Sequence, residues 1–87
     1  MPIVSLFFGI KITMYHDDHN PPHFHATYAG QTAVINILEN TVMKSALPKR
    51  QLKLVLAWAE LHKDELMQNW ELVVANKMPV EIRPLGV

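Results

Sequence analysis

Apolar and polar positions change their period part-way along the chain, dividing it into a strand half and a helical half. Residues 3–8 read as a short buried strand or an extended lead-in, and Gly9 lets the backbone turn or bulge. Residues 10–15 alternate, with Ile10, Ile12 and Met14 toward a core and Lys11, Thr13 and Tyr15 away from it. Asn20-Pro21-Pro22 imposes a loop, because proline disfavours the helical region for the residue before it. Residues 23–28 form the next strand, with Phe24, Ala26 and Tyr28 on one face and His23, His25 and Thr27 on the other. Ala29-Gly30 is a tight-turn signal, and residues 31–38 carry Ala33, Ile35 and Ile37 inward as a third strand. Glu39-Asn40 turns the chain into a fourth short strand over 41–44.

The period changes after Leu47-Pro48. Pro48 suits a first helical turn, where its missing N–H is no loss, and Ser45 is a candidate cap just upstream. Residues 49–76 contain no glycine or proline. Leu52, Leu56, Ala59, Leu66, Trp70 and Val73 fall on one helical stripe, with Lys63 the polar intruder. One helix of that length would run about 42 Å at 1.5 Å per residue, long for so small a domain. The spacing therefore predicts a bend or break near His62-Lys63-Asp64, with Asp64 capping a second segment. Pro79 follows the helical stretch, and residues 80–83 read as a last edge strand. The predicted fold is α+β: an antiparallel meander of about four strands plus a short C-terminal edge strand, packed against one long bent helix or two consecutive helices. One domain spans residues 1–87.

Composition narrows the classes. An apolar share of 49% against 18% charged residues is that of a globular chain and excludes a disordered one. Eight basic residues balance eight acidic ones, which argues against a strongly cationic nucleic-acid binder but leaves room for a local patch. Without cysteine, any metal must be held by nitrogen and oxygen ligands. The first ten residues are apolar but lack a basic leader and a cleavage signal, so the cytoplasm is the expected location, with no membrane span.

The densest chemistry lies in Tyr15-His16-Asp17-Asp18-His19-Asn20-Pro21-Pro22-His23-Phe24-His25, which holds four of the five histidines. His23 and His25 are two apart on a strand, so both imidazoles leave one face. That pair could give a divalent metal such as zinc two nitrogen ligands, with His19, Asp17 or Asp18 as a third. A cupin-like pattern would want a glutamate shortly afterwards, where the chain reads Ala26-Thr27-Tyr28-Ala29-Gly30. Alternatively His19, His23 and His25 act without metal as acid and base on a phosphodiester. Lys44, Lys49, Arg50 and Lys53, with no acidic residue between Glu39 and Glu60, would hold an RNA backbone, and Tyr15 and Tyr28 would stack bases. If the protein is an enzyme, it is ribonuclease-like or a metal-dependent hydrolase. The same Asp-His-Asn-Pro-Pro run is also ordinary loop chemistry. His62 reads as a commonplace helical histidine, and Trp58 and Trp70 as core or partner-facing anchors.

Several stretches together carry a resemblance: the opening Met1-Pro2-Ile3-Val4-Ser5-Leu6-Phe7-Phe8-Gly9-Ile10, the run Asp18-His19-Asn20-Pro21-Pro22-His23-Phe24-His25-Ala26, Leu47-Pro48, Trp58-Ala59-Glu60-Leu61-His62-Lys63-Asp64-Glu65-Leu66, and Asn69-Trp70-Glu71. With these the chain resembles the small bacterial family known as domain-of-unknown-function family 4160, over nearly its whole length. The resemblance implies a small bacterial or mobile-element protein, often encoded beside another small protein in a toxin–antitoxin-like arrangement. It brings no catalytic residues with it. Three functions follow as expectations: an RNA-directed, toxin-like component using the histidine segment; a metal-binding module; and a non-catalytic interaction module. The last would pair residues 80–83 or the helical stripe with the neighbouring gene product, and a homo-oligomer is a further expectation.

Overall fold

The computed structural model describes residues 3–15 and 19–86. Five strands, β1 (Ile3–Phe7), β2 (Ile10–Thr13), β3 (His23–Tyr28), β4 (Gln31–Asn36) and β5 (Thr41–Ser45), precede two helices, α1 (Lys49–Leu61) and α2 (Lys63–Val74). The strands form one antiparallel sheet in chain order. The hairpins β1–β2 and β3–β4 close through Phe8-Gly9 and Ala29-Gly30, all four residues with positive φ. Such two-residue turns match the right-handed twist of the strands they join. At Gly9 a side chain would also have to share space with Tyr28, whose ring would lie 3.4 Å from an added Cβ.

The alternation in β2 and β3 decides which face is buried. Ile10, Ile12, Phe24, Ala26, Ala33 and Ile35 are fully enclosed beneath the helices. Trp58 of α1 sits over them, with ring centroids 5.3 Å from Phe7 and 5.8 Å from Phe24. Burying each such large side chain contributes about 1.5–3 kcal/mol. The helix layer thus covers one sheet face.

The α+β class predicted above holds, with corrections in its parts. Of the two readings of residues 3–8 the strand holds, as Ile3–Phe7, and it raises the meander from about four strands to five. Its uncharged run zips onto β2 through the Phe8-Gly9 turn. Residues 80–83, predicted as an edge strand, are not one. Pro79 and Pro84 flank them, and a proline cannot donate to a ladder. They run beside β1 with the Ile82 N–H donating to the Val4 carbonyl at 2.8 Å. The third predicted strand ends at Asn36 rather than Leu38, and residues 37–40 form the turn into β5.

The predicted break is real and falls at His62 (φ −121°, ψ 25°). His62, and not Asp64, is the residue before α2. Asp64 and Glu65 lie in its first turn, where negative charge favours the helix dipole. Ser45 does not cap α1: its Oγ accepts the Leu47 N–H, and Pro48 precedes the helix. The buried stripe of α1 is Val55, Trp58 and Ala59, with Leu52 and Leu56 only half-buried. In α2 it is Leu66, Asn69, Trp70 and Val73. No helix among the described residues is long and apolar enough to cross a membrane.

Candidate functional site on the open sheet face

Strand register builds the face opposite the helices. Ile3, Thr13, His25, Val34 and Lys44 lie directly across from one another on β1 to β5. Residues directly opposite in a ladder project from the same side, so these five make one row. Leu6, Lys11, Thr27 and Thr32 make the next. Lys11, Tyr15, His25, Thr27 and Val34 are half-buried, and Thr32 and Lys44 are exposed, while Thr13 and His23 are buried, so this face is open to solvent mainly on the side of β4 and β5.

The two strand histidines meet as their spacing predicts. Their ring centroids are 5.3 Å apart, at 73°. Tyr15 stands edge-on to His25 at 4.7 Å, and Trp70 of α2 lies 5.2 Å from His23. The result is a continuous chain of rings, Tyr15–His25–His23–Trp70. His23 is buried by this company, while His25 stays half-exposed. The Nδ1 of His23 lies 2.7 Å from the Pro21 carbonyl. A carbonyl can only accept, so Nδ1 carries the proton in that bond, and in the neutral ring Nε2 is left with the lone pair. The Tyr15 hydroxyl accepts from Thr13 Oγ1 at 3.4 Å.

The other predicted site residues separate from this pair. His19 is exposed, on the loop before the cis Asn20–Pro21 bond. Among the described residues no three His, Cys, Asp or Glu side chains are grouped to hold a metal ion, so His19, His23 and His25 do not by themselves form the predicted ligand set. His16, Asp17 and Asp18, including both predicted aspartate ligands, lie outside the described residues. Lys49, Arg50 and Lys53 are exposed on α1, which belongs to the layer over the opposite sheet face. Of the predicted basic cluster, Lys44 falls in the row of His25. Tyr28 packs on the helix side against Gly9, so only Tyr15 of the two tyrosines joins the histidines. His62 belongs to the helix joint, its Nδ1 2.6 Å from Glu65 Oε1 and its ring 5.5 Å from Trp58.

Sequence reasoning missed Lys11, Thr13 and Val34 as site neighbours, and took Trp70 only as an anchor. The outward phase of Lys11 and Thr13 was readable within β2. What no single strand encodes is which residue of the next strand lies across from them.

Fold and site together define a class: a small α+β module with helices on one face of a five-stranded meander and a paired-histidine surface on the other. The chain belongs to the family described as Domain of unknown function (DUF4160), whose model matches residues 9–71. That span contains the residues from Lys11 to Trp70 that build the site. Neither a curated protein nor a solved structure matches the chain.

Proposed function

We propose that this protein binds or cleaves RNA through the open face of its sheet, as one component of a toxin–antitoxin-type pair with a small protein encoded nearby. The observation that carries the RNA reading is the pair of imidazoles 5.3 Å apart beside Tyr15 on an open strand surface. RNA recognition by sheet surfaces uses aromatic rings as stacking platforms for unpaired bases, and Tyr15 is half-exposed in that position. Lys11 and Lys44 project from the same face and supply the charge that a phosphate backbone requires. The pairing with a second small protein rests on the family resemblance.

Two neighbouring imidazoles suit cleavage by transesterification. One removes the proton of the ribose 2′-hydroxyl as its oxygen bonds to phosphorus. The other protonates the 5′-oxygen as its bond to phosphorus breaks. His25, the more exposed ring, is the group that meets RNA first. His23 is held in place through Nδ1. The same pair offers two nitrogen ligands to a divalent ion such as zinc. Elemental analysis of the protein, with the RNA assay repeated after chelation, separates metal-dependent from metal-free action.

The test is to incubate purified protein with short single-stranded RNAs, following binding by fluorescence anisotropy and cleavage by electrophoresis. Wild type is expected to bind, and His25→Ala and His23→Ala to lose cleavage while remaining folded by circular dichroism. RNA that stays both unbound and intact at high protein concentration would overturn the proposal.

A further inference from the structure

Beside the histidine row lies a hollow of ≈ 480 Å³ bordered by Gly30, Gln31, Thr32, Val34, Lys44 and Ser45. Val34 is directly opposite His25 on the neighbouring strand, and Lys44 is directly opposite Val34 on the next. Strands lie about 4.8 Å apart, so the Lys44 backbone is roughly 10 Å from that of His25 on the same face. The hollow therefore begins one strand from the candidate acid–base pair.

Its chemistry is selective. Lys44 is its one charged border residue, no carboxylate borders it, and among the described residues no acidic side chain pairs with Lys44. Gln31 and Thr32 are exposed, and their side chains make no hydrogen bond among the described residues. Ser45 lies across from Ala33 and accepts the Leu47 N–H on the helix side, so it borders the hollow through its backbone. Val34 supplies a half-buried apolar surface, and an added Cβ at Gly30 would meet nothing within 4 Å, so that wall is open. On the open face a single cation, Lys44, stands with the Thr32 hydroxyl and the apolar surface of Val34, and these are the complement of one anionic, hydrogen-bonding ligand with an apolar face. The volume lies in the roughly 300–1,000 Å³ range of small-ligand sites. By contrast the hollow between β1 and the C-terminal segment is bordered by Ile3, Leu6, Ile82, Pro84 and the carboxylate of Glu81. It has no such complement for an anion.

We infer that the hollow beside Val34 and Lys44 is a nucleotide subsite that takes the nucleotide next to the scissile bond. Its phosphate rests on Lys44, its base lies over Val34, and Thr32, which projects from the same face, meets a polar edge. The position beside the chemistry rests on the proposed action on RNA; the ligand class follows from the hollow's own residues.

The experiment titrates the purified protein with adenosine 3′-monophosphate, adenosine and inorganic phosphate. Amide shifts are followed by NMR and affinity by calorimetry. The monophosphate is expected to shift Gln31, Thr32, Val34 and Lys44, and to bind at least tenfold more tightly than adenosine or phosphate. Lys44→Glu should weaken it at least tenfold. Lys49→Glu, the same charge change on the helix layer, should leave its Kd within twofold. Shifts that avoid these four residues, equal weakening by Lys49→Glu, or no binding would each overturn the subsite. If RNA is bound but Lys44→Glu changes neither RNA nor monophosphate affinity, the subsite falls and the RNA proposal stands. If the monophosphate binds at Lys44 while RNA is neither bound nor cut, the nucleotide site stands and the RNA proposal falls.

Discussion

Asn69 holds the C-terminal segment to the body of the protein, and its replacement has a calculable cost. The side chain is 2% exposed. Its Nδ2 donates to the Val80 carbonyl at 2.7 Å, and its Oδ1 accepts the Val80 N–H at 2.8 Å, as a neighbouring strand would. Beyond Val80 the segment buries Ile82, bonds to Val4 and receives the Trp58 indole N–H at the Arg83 carbonyl. Asn69→Ala removes two hydrogen bonds of about 1 kcal/mol each and leaves a small void, together about 2–3 kcal/mol. A chain of this length has roughly 4–13 kcal/mol of stability in all. The midpoint of thermal unfolding should fall by about 8–24 °C, at about 4–8 °C per kcal/mol.

Asn69→Asp sharpens the test because it keeps the shape. One oxygen still accepts from Val80 N–H, but the other now faces the Val80 carbonyl without a proton. Burial and that carbonyl raise the new carboxyl group's folded pKa above its unfolded value. Its penalty is therefore full above the folded pKa and shrinks as pH falls through it, when the protonated group can donate to Val80. Urea unfolding by circular dichroism from neutral pH to about pH 4 should show this variant gaining on wild type as pH falls, with faster amide exchange at Val80 and Ile82 at neutral pH. A loss under about 0.5 kcal/mol for Asn69→Ala, with unchanged exchange at those two amides, would refute the clamp.

Other substitutions probe separate parts of the fold. Gly9→Ala puts a side chain at φ +76° against the Tyr28 ring; denaturant unfolding should register a loss of about 1–2 kcal/mol. Trp58→Phe gives up the bond to Arg83 and part of a fully buried ring, and the same measurement should give about 2–3 kcal/mol. Glu65→Gln leaves the helix joint with a weaker partner for His62, yet the pair is solvent-accessible on the glutamate side. Its cost should stay below about 1 kcal/mol in thermal melts.

Much of the two-layer arrangement was legible because one-dimensional periodicity reports faces. The inward set Ile10, Ile12, Phe24, Ala26, Ala33 and Ile35 is buried as the alternation predicts. The helical stripe was legible in α2 but out of phase in α1, where Trp58 and Val55 define the buried side and Leu52 and Leu56 flank it. With leucine, valine and tryptophan all present on that helix, apolar character alone could not choose among adjacent stripes. The C-terminal stretch misled for a different reason. Val80-Glu81-Ile82-Arg83 has strand-like alternation, but the Asn69 amide takes both backbone groups of Val80, and the segment's contact with β1 is the single Ile82 N–H to Val4 bond in place of a continuous ladder.

The candidate site shows where such reading stops. His23 and His25 were placed on one face by their spacing, and the rings do come together. Their surroundings depend on pairings across long stretches of chain. Thr13 and Val34 flank His25 through register, and Trp70 reaches His23 from α2, 47 positions away. Charge density along the sequence pointed to Lys44, Lys49, Arg50 and Lys53, because clustering in one dimension is easy to see. Register divides them: it brings Lys44 into the row of His25, with isolated Lys11 in the next, and leaves Lys49, Arg50 and Lys53 on the helix layer. The two histidines also differ in a way that their shared spacing conceals. His23 is gripped by Pro21 and Trp70, while His25 remains half-exposed beside Tyr15. A fixed ring beside a more exposed one is an asymmetry that arises because the helical half reaches the end of β3 but leaves its middle open.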